Sequence, residues 1–138
     1  MAFNEIYQIA GSSMTANSIR LNTIASNLAN AGVAAKNPDD AFRALKPVFA
    51  TVYDKTASIP EAAASVKVTE IAKSDAPLEM RYEPNHPFAN KDGYVAYSNV
   101  NTVQEMADMM SASRNFESSV DVINRARSMQ QGLLQLGK

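Results

Sequence analysis

His86 is the only histidine of the chain and the residue best suited to acid–base chemistry, because an imidazole titrates near neutral pH. It lies between Pro84 and Pro87, which predicts a turn or an extended loop. A general base also needs a nucleophile and a carboxylate that orients its ring, and neither pattern accompanies His86. We therefore favour a structural turn histidine, and a small hydrolase that uses His86 is the less favoured hypothesis.

Other residue types that carry chemistry are sparse in this sequence. The chain has no cysteine, which excludes a thiolate nucleophile, a disulfide framework and a thiolate zinc site. Glu79, Glu83 and Asp92 are scattered among basic residues, a pattern more typical of solvated loops than of an acid–base pair. No glycine-rich loop of the phosphate-binding type is present. The sequence therefore predicts no enzyme activity and no cofactor, metal or small-molecule substrate.

The charge balance and the composition restrict the class of protein further. Thirteen basic and fourteen acidic residues give a net charge of −1, without the basic stripe that binds phosphate backbones, so no nucleic-acid partner is expected. With 46% hydrophobic and 20% charged residues, the 138-residue chain can bury a core. It fits one domain, or one small domain with long extensions.

Residues 1–35 carry only two charged side chains, Glu5 and Arg20, yet their pattern is helical. Alternating spacings of three and four define a seam of the coiled-coil type. The seam comprises Tyr7, Ala10, Met14, Asn17, Leu21, Ile24, Leu28 and Ala31. Gly32 is predicted to end the helix in the left-handed conformation, with Val33 folded back onto the last turn.

The same segment is rich in asparagine and serine and contains Gly11, all of which lower helix propensity. A helix with a good seam and a poor propensity needs a partner. That partner is either the rest of the chain alone or includes other subunits, and we favour the second arrangement. Asn27 is predicted to lie in the packed face and to fix its register, since a buried amide must find hydrogen-bond partners. A solvent-facing Asn27 is the alternative.

Residues 36–100 contain all six prolines of the chain and read as a small β-rich region. Alternating residues predict short strands around residues 48–52, 66–68, 78–82 and 94–97. Asp92 and Gly93 predict a turn before the last of these strands. Residues 60–65 fit either one helical turn or a flexible loop.

Residues 101–138 give the clearest helical signal, which opens with a predicted capping box formed by Thr102 and Glu105. One seam, Val103, Met106, Met110 and Ser113, is followed after a phase slip by Phe116, Val120, Ile123, Arg127, Gln130 and Leu134. A helix of this length extends about 50 Å, whereas a compact globule of this chain has a radius of gyration of about 14 Å. The predicted fold class is therefore α+β, with long N- and C-terminal helices that form a coiled-coil-like pair and a small β-rich region inserted between them.

Several blocks of the sequence form recognisable motifs. The N-terminal signature consists of IAGSSMTA at residues 9–16 and LNTIASNLANA at residues 21–31. Further blocks are DAPL at 75–78, YEPNHPF at 82–88, GYVAYSNV at 93–100 with EM at 105–106, SASRNF at 111–116 and DVIN at 121–124. The N-terminal signature resembles that of the bacterial flagellar rod, hook and hook-associated proteins, and the central blocks narrow the resemblance to the proximal rod proteins of the basal body.

The resemblance implies a structural subunit of the flagellar rod that assembles helically with its own copies and other rod proteins and transmits torque across the periplasm. It also implies export through the flagellar type III apparatus without a cleaved signal peptide. Residues 1–35 and 101–138 would then be the two helices of the assembly core. A cytosolic coiled-coil adapter or export chaperone is the alternative function.

From the two seams we predict an assembly interface. Its residues are Met14, Asn17, Leu21, Ile24, Asn27, Leu28, Met106, Met110, Phe116, Val120, Ile123 and Leu134.

Overall fold

The computed structural model describes residues 2–53 and 64–137, so the predicted turn or loop at residues 60–65 lies largely outside the described residues. Within these two ranges, two long helices flank five strands and one short 3-10 turn along the chain. The helices are α1 (Ala2–Ala29) and α2 (Thr102–Leu136), and the 3-10 turn is Pro38–Asp40. The strands are β1 (Ala34–Ala35), β2 (Leu45–Tyr53), β3 (Ala64–Lys73), β4 (Glu79–Tyr82) and β5 (Tyr94–Tyr97). The predicted α+β class with a β-rich insert is confirmed.

The two helices pack against each other as an antiparallel pair within the chain. Three contacts establish the antiparallel direction. As the residue number on α1 increases, the number of its contact residue on α2 decreases. The three contacts are the hydrogen bonds Tyr7–Gln130 at 3.3 Å and Ser13–Ser119 at 3.1 Å, and the ion pair Arg20–Asp108 at 3.0 Å. The rest of the chain thus supplies the partner that the weakly helical N-terminal segment needs.

The buried seam of α2 differs from the predicted one. Glu105, Ala112, Ser119 and Ala126 are buried and recur every seven residues. Half-buried Met109, Phe116 and Ile123 lie between them, so the spacing alternates four and three throughout. The predicted phase slip was therefore wrong, and the inner seam of α2, residues 105–126, is continuous.

The error arose because two stripes were joined into one. Successive helical residues are about 100° apart, which places Val103, Met106 and Met110 on a face of α2 turned away from the inner seam. These large side chains are exposed, whereas the small residues Ala112, Ser119 and Ala126 are buried in the helix contact. A direct hydrogen bond between Ser13 and Ser119 requires closely spaced backbones, and only small side chains fit such a contact.

The strands form two antiparallel sheets. One sheet has the strand order β1-β5-β4, and Met80 on β4 pairs with Ala96 on β5. Its central strand β5 is largely buried, whereas the edge strand β4 is exposed. The other is the two-stranded ribbon β2–β3, with a register shift between Val48 and Phe49, and it packs on α1. A two-stranded ribbon alone is marginally stable, so α1 is what holds it in place.

Two local predictions need correction and one is confirmed. The N-cap of α2 is Asn101 and not Thr102, because Asn101 Oδ1 accepts from the amides of residues 103 and 104 at 3.1 Å. Among the described residues Gly93 is the only one with a positive φ, at 81°, so Gly32 does not adopt the left-handed conformation and Val33 is exposed. The predicted turn at Gly93 is present, and Asn90 Oδ1 accepts from the amides on both sides of it at 2.9 Å.

Two asparagines join the helices to the start of β2, and we call Asn27 and Asn99 the asparagine clamp. Asn27 is 1% exposed; its Nδ2 donates to the Leu45 carbonyl at 2.9 Å and its Oδ1 accepts from the Leu45 amide at 2.8 Å. Asn99 Oδ1 accepts from the Ala44 amide at 2.7 Å, and Asn99 Nδ2 donates to the Ala76 carbonyl at 2.9 Å. The start of β2 is paired with the end of β3 on one side, and the two side chains bond backbone groups of residues 44 and 45 on the side that has no neighbouring strand.

Within the described ranges, neither helix combines the length and hydrophobicity needed to cross a membrane.

Replacing Asn27 with alanine leaves the amide and the carbonyl of Leu45 without partners in a buried site. We expect a loss of about 2–4 kcal/mol in the free energy of unfolding, measured by urea denaturation. Asn22→Ala on the exposed side of α1 is the matched control and should change stability by about 0.5 kcal/mol or less. Equal effects of the two variants would show that the Asn27 amide does not hold β2.

Substituting leucine for Ala112, which is 0% exposed, places extra carbon atoms in the tight helix contact. We expect a destabilisation of about 1–3 kcal/mol from overpacking. Ala107→Leu, at an exposed position of the same helix, should be nearly neutral in the same thermal melts. A neutral Ala112→Leu variant would contradict the inner seam described above.

Candidate assembly surface

The loop that contains His86 uses this residue for local structure. His86 Nδ1 accepts from the Phe88 amide at 3.1 Å, and the two rings meet edge to face with centroids 5.5 Å apart. The His86 amide donates to the Glu83 carbonyl at 3.0 Å. These bonds fit the turn histidine that the sequence predicts, and they give the hydrolase hypothesis no support.

The carboxylates of the β4–β5 sheet are also engaged in structural contacts. Glu79 accepts from Arg81 Nε at 2.9 Å, and this hydrogen bond lowers the pKa of the Glu79 carboxyl below its ordinary value. The Arg81 guanidinium lies 4.5 Å from the ring centroid of Tyr97. Tyr97 in turn donates to Glu83 Oε2 at 3.0 Å, which raises the pKa of the Tyr97 hydroxyl. The group ties β5 to the edge strand and to the loop that follows it.

The predicted interface residues do not form one continuous face. Two are buried inside the chain, Ile24 and Asn27, the second with both polar groups of its amide bonded to Leu45. Seven are half-buried, and three are exposed. The half-buried ones are Met14, Asn17, Leu21, Leu28, Phe116, Val120 and Ile123, and the exposed ones are Met106, Met110 and Leu134. A contact between subunits at any of them stays a prediction, and the structure gives the Asn27 amide a role within the chain instead.

The exposed members on the first half of α2 belong to a compact apolar patch. Val103, Met106 and Met110 are 74%, 57% and 59% exposed and lie one helical turn apart on a single face. We call these three residues the outer ridge. Large apolar side chains in a contiguous exposed patch are typical of an interaction surface, whereas single exposed ones are not informative.

A second apolar surface lies at a different position along the helix pair, near the start of α1. Ile6, Ile9 and Val122 line an open groove between the helices together with Ser13 and Ser118, and we call these five residues the distal groove. Beyond it, α2 exposes further large side chains: Met129, Leu133 and Leu134.

A third surface is the ribbon β2–β3, which exposes several large side chains although it already packs on α1. They are Val48, Phe49, Val52, Val66 and Ile71.

Sequence reasoning missed most of the second and third surfaces. Ile6 and Ile9 lie on either side of Tyr7, the first position of the predicted seam, and do not belong to that seam. Val122 and Met129 are seven residues apart on a stripe beside the inner seam. A search for a second apolar stripe on each helix could have found them. The exposed side of the ribbon has no comparable signal, because a strand pattern does not tell which of its two faces a helix covers.

Comparison with known proteins agrees with the motifs in both helices. Residues 8–34 match the family model "Flagella basal body rod protein", and residues 91–136 match "Flagellar basal body rod FlgEFG protein C-terminal". Curated relatives named flagellar basal-body rod protein FlgC are 42% identical in Escherichia coli O6:H1 and 41% in Salmonella typhimurium, each over the full length of both chains. The FlgC of Borreliella burgdorferi is 35% identical over 88% of each chain. The chain therefore belongs to the flagellar basal-body rod proteins of the FlgC type.

Proposed function

We propose that this structural rod subunit assembles through the outer ridge and the distal groove, while the inner seam and the asparagine clamp hold each subunit together. The observation that carries this proposal is that two faces of α2 bear different kinds of side chain. Its small residues are used up in the contact with α1, and its large apolar residues at positions 103, 106 and 110 are left exposed. Burial of those side chains by neighbours would supply the favourable free energy of assembly.

The partners we propose are other copies of this chain and other rod proteins, arranged helically. Contacts between different surfaces of successive subunits propagate into a helical tube unless the rotation closes a ring. The outer ridge and the distal groove lie at different positions along the helix pair, since Met106 is near the start of α2 whereas Val122 is just past its midpoint. Such a pair of unlike surfaces suits propagation better than a closed dimer.

We further propose that the subunit acts in the periplasm, where the rod transmits torque, and that it arrives through the flagellar type III export apparatus. Two features of α1 support passage in an unfolded form. It carries only two charged residues, and its asparagine, serine and glycine content lowers its helix propensity. Such a segment is a marginal helix alone and becomes stable only after α2 packs against it.

A strain without this chain should build no complete rod, and the intact chain should restore it, as judged by motility and electron microscopy of basal bodies. Normal rods in its absence would refute the structural role. A discrete dimer of the purified chain at low concentration in sedimentation would instead favour the adapter alternative.

The double variant Met106→Gln, Met110→Gln tests the outer ridge. Glutamine and methionine have similar helix propensities, so we expect stability of the isolated chain to change by less than about 0.5 kcal/mol. Incorporation into basal bodies, measured by immunoblot, should fall by at least about tenfold, because two apolar side chains no longer gain from burial.

The matched control is Met106→Leu, Met110→Leu, which keeps the apolar surface and should incorporate normally. Undiminished incorporation of the glutamine variant would show that the outer ridge does not face a neighbour.

A further inference from the structure

A cavity of about 420 Å³ lies where α1, β2 and the first turns of α2 meet. It differs from the apolar surfaces described above because charged side chains line it. They are Arg20 on α1, Lys46 on β2, and Glu105 and Asp108 on α2.

Glu105 is the unusual member of this group. It is 8% exposed, yet among the described residues no side chain or backbone donor forms a hydrogen bond or an ion pair with its carboxylate. Asp108, one turn further along, is paired with Arg20 at 3.0 Å. No described side-chain oxygen or nitrogen is both sealed from solvent and without a partner, so the Glu105 oxygens keep some contact with solvent, and Glu105 is one of the residues that line the cavity.

A carboxylate in this position calls for a cation. Burial of an ionised group is costly unless the charge is paired, and a position in the first turn of a helix compensates only a small part of that cost. Lys46 is exposed and forms no ion pair within the described part of the chain. Nor do the described residues contain a group of three side chains able to hold a metal ion. A single lysine ammonium or arginine guanidinium from outside the subunit would pair with the Glu105 carboxylate.

We propose that this cavity receives an arginine or lysine side chain of a neighbouring rod subunit, with Glu105 as its counter-ion. The inference rests on the proposed function, since it names the chemistry of one contact in the assembly. Arg20 stays with Asp108, and Glu105 then has only the exposed Lys46 as a cation on the same lining, with which it forms no ion pair in the described part of the chain. The carboxylate fixes where along α2 the neighbour docks, which an apolar ridge alone does not do.

Glu105→Gln tests the proposal, because it keeps the size of the side chain and removes its charge. The midpoint of thermal unfolding of the isolated chain should stay within about 2 °C of the wild type, since no partner in the described chain is lost. Incorporation into basal bodies should fall at least about tenfold, because the neighbour's cation then lacks its counter-ion. Glu117→Gln, at an exposed position of the same helix, is the matched control and should incorporate normally.

A charge reversal gives a second measurement. Cells that carry Glu105→Lys should be non-motile. Motility should return when a second substitution changes a basic residue of a rod subunit to an acidic one.

Four outcomes would overturn the proposal. Normal incorporation of Glu105→Gln shows that no cation is needed. A fall of the unfolding midpoint by several degrees assigns Glu105 to the fold of the single chain. If Lys46→Met lowers the unfolding midpoint as much as Glu105→Gln does, and the variant with both substitutions has no lower midpoint, Lys46 is the partner of Glu105. A rise of the midpoint with magnesium chloride that Glu105→Gln abolishes assigns the cavity to a metal ion.

The failure of this inference and that of the proposed function are distinguishable. A strain that lacks the chain and still builds rods refutes the function. A strain that needs the chain but accepts Glu105→Gln refutes only the cavity.

Discussion

The close contact between α1 and α2 sets most of the other features of this subunit. Two helices approach closely only where the side chains between them are small, and Ala112, Ser119 and Ala126 meet that requirement at intervals of seven residues. The small residues bury little apolar area, and the larger Met109, Phe116 and Ile123 between them are only half-buried, so the seam stabilises the pair weakly for its length. Polar contacts at Ser13 and Arg20 align the helices without adding much energy at a partly exposed site. Val103, Met106 and Met110 lie off this seam and are exposed.

The β-rich region depends on the same helices. Its two-stranded ribbon has no third strand, and its first residues are bound by side-chain amides in place of a neighbouring strand. Asn27 reaches this segment from α1 and Asn99 from the residues just before α2, so the start of β2 is correctly placed only when both helices are. Ser98 adds a third link by donating to the Ala31 carbonyl at 2.7 Å. Folding of the insert and pairing of the helices are therefore coupled.

Much of this fold could be predicted from the sequence, and the exceptions have physical causes. Hydrophobic periodicity located both helices and the strands β2 to β5, but not the two-residue β1, and the Gly93 turn followed from a local signal. The motifs identified the family, because they depend on residue identity and not on packing. The predicted seam of α2 joins Met106 and Met110 to Phe116 and the residues after it because all are apolar, whereas the tight contact with α1 selects small residues on a different stripe. The partner of Asn27 could not be predicted, since it is a backbone segment 18 residues away that only the tertiary fold brings close.

We propose that one subunit closes its own inner seam and leaves the outer ridge for a neighbour. Peroxide oxidation of methionine sulfur, read by mass spectrometry, compares the same side chains in the isolated chain and in purified basal bodies. We expect Met106 and Met110 to oxidise readily in the isolated chain and to become strongly protected in the assembled rod. Equal oxidation of both residues in the two states would contradict this proposal.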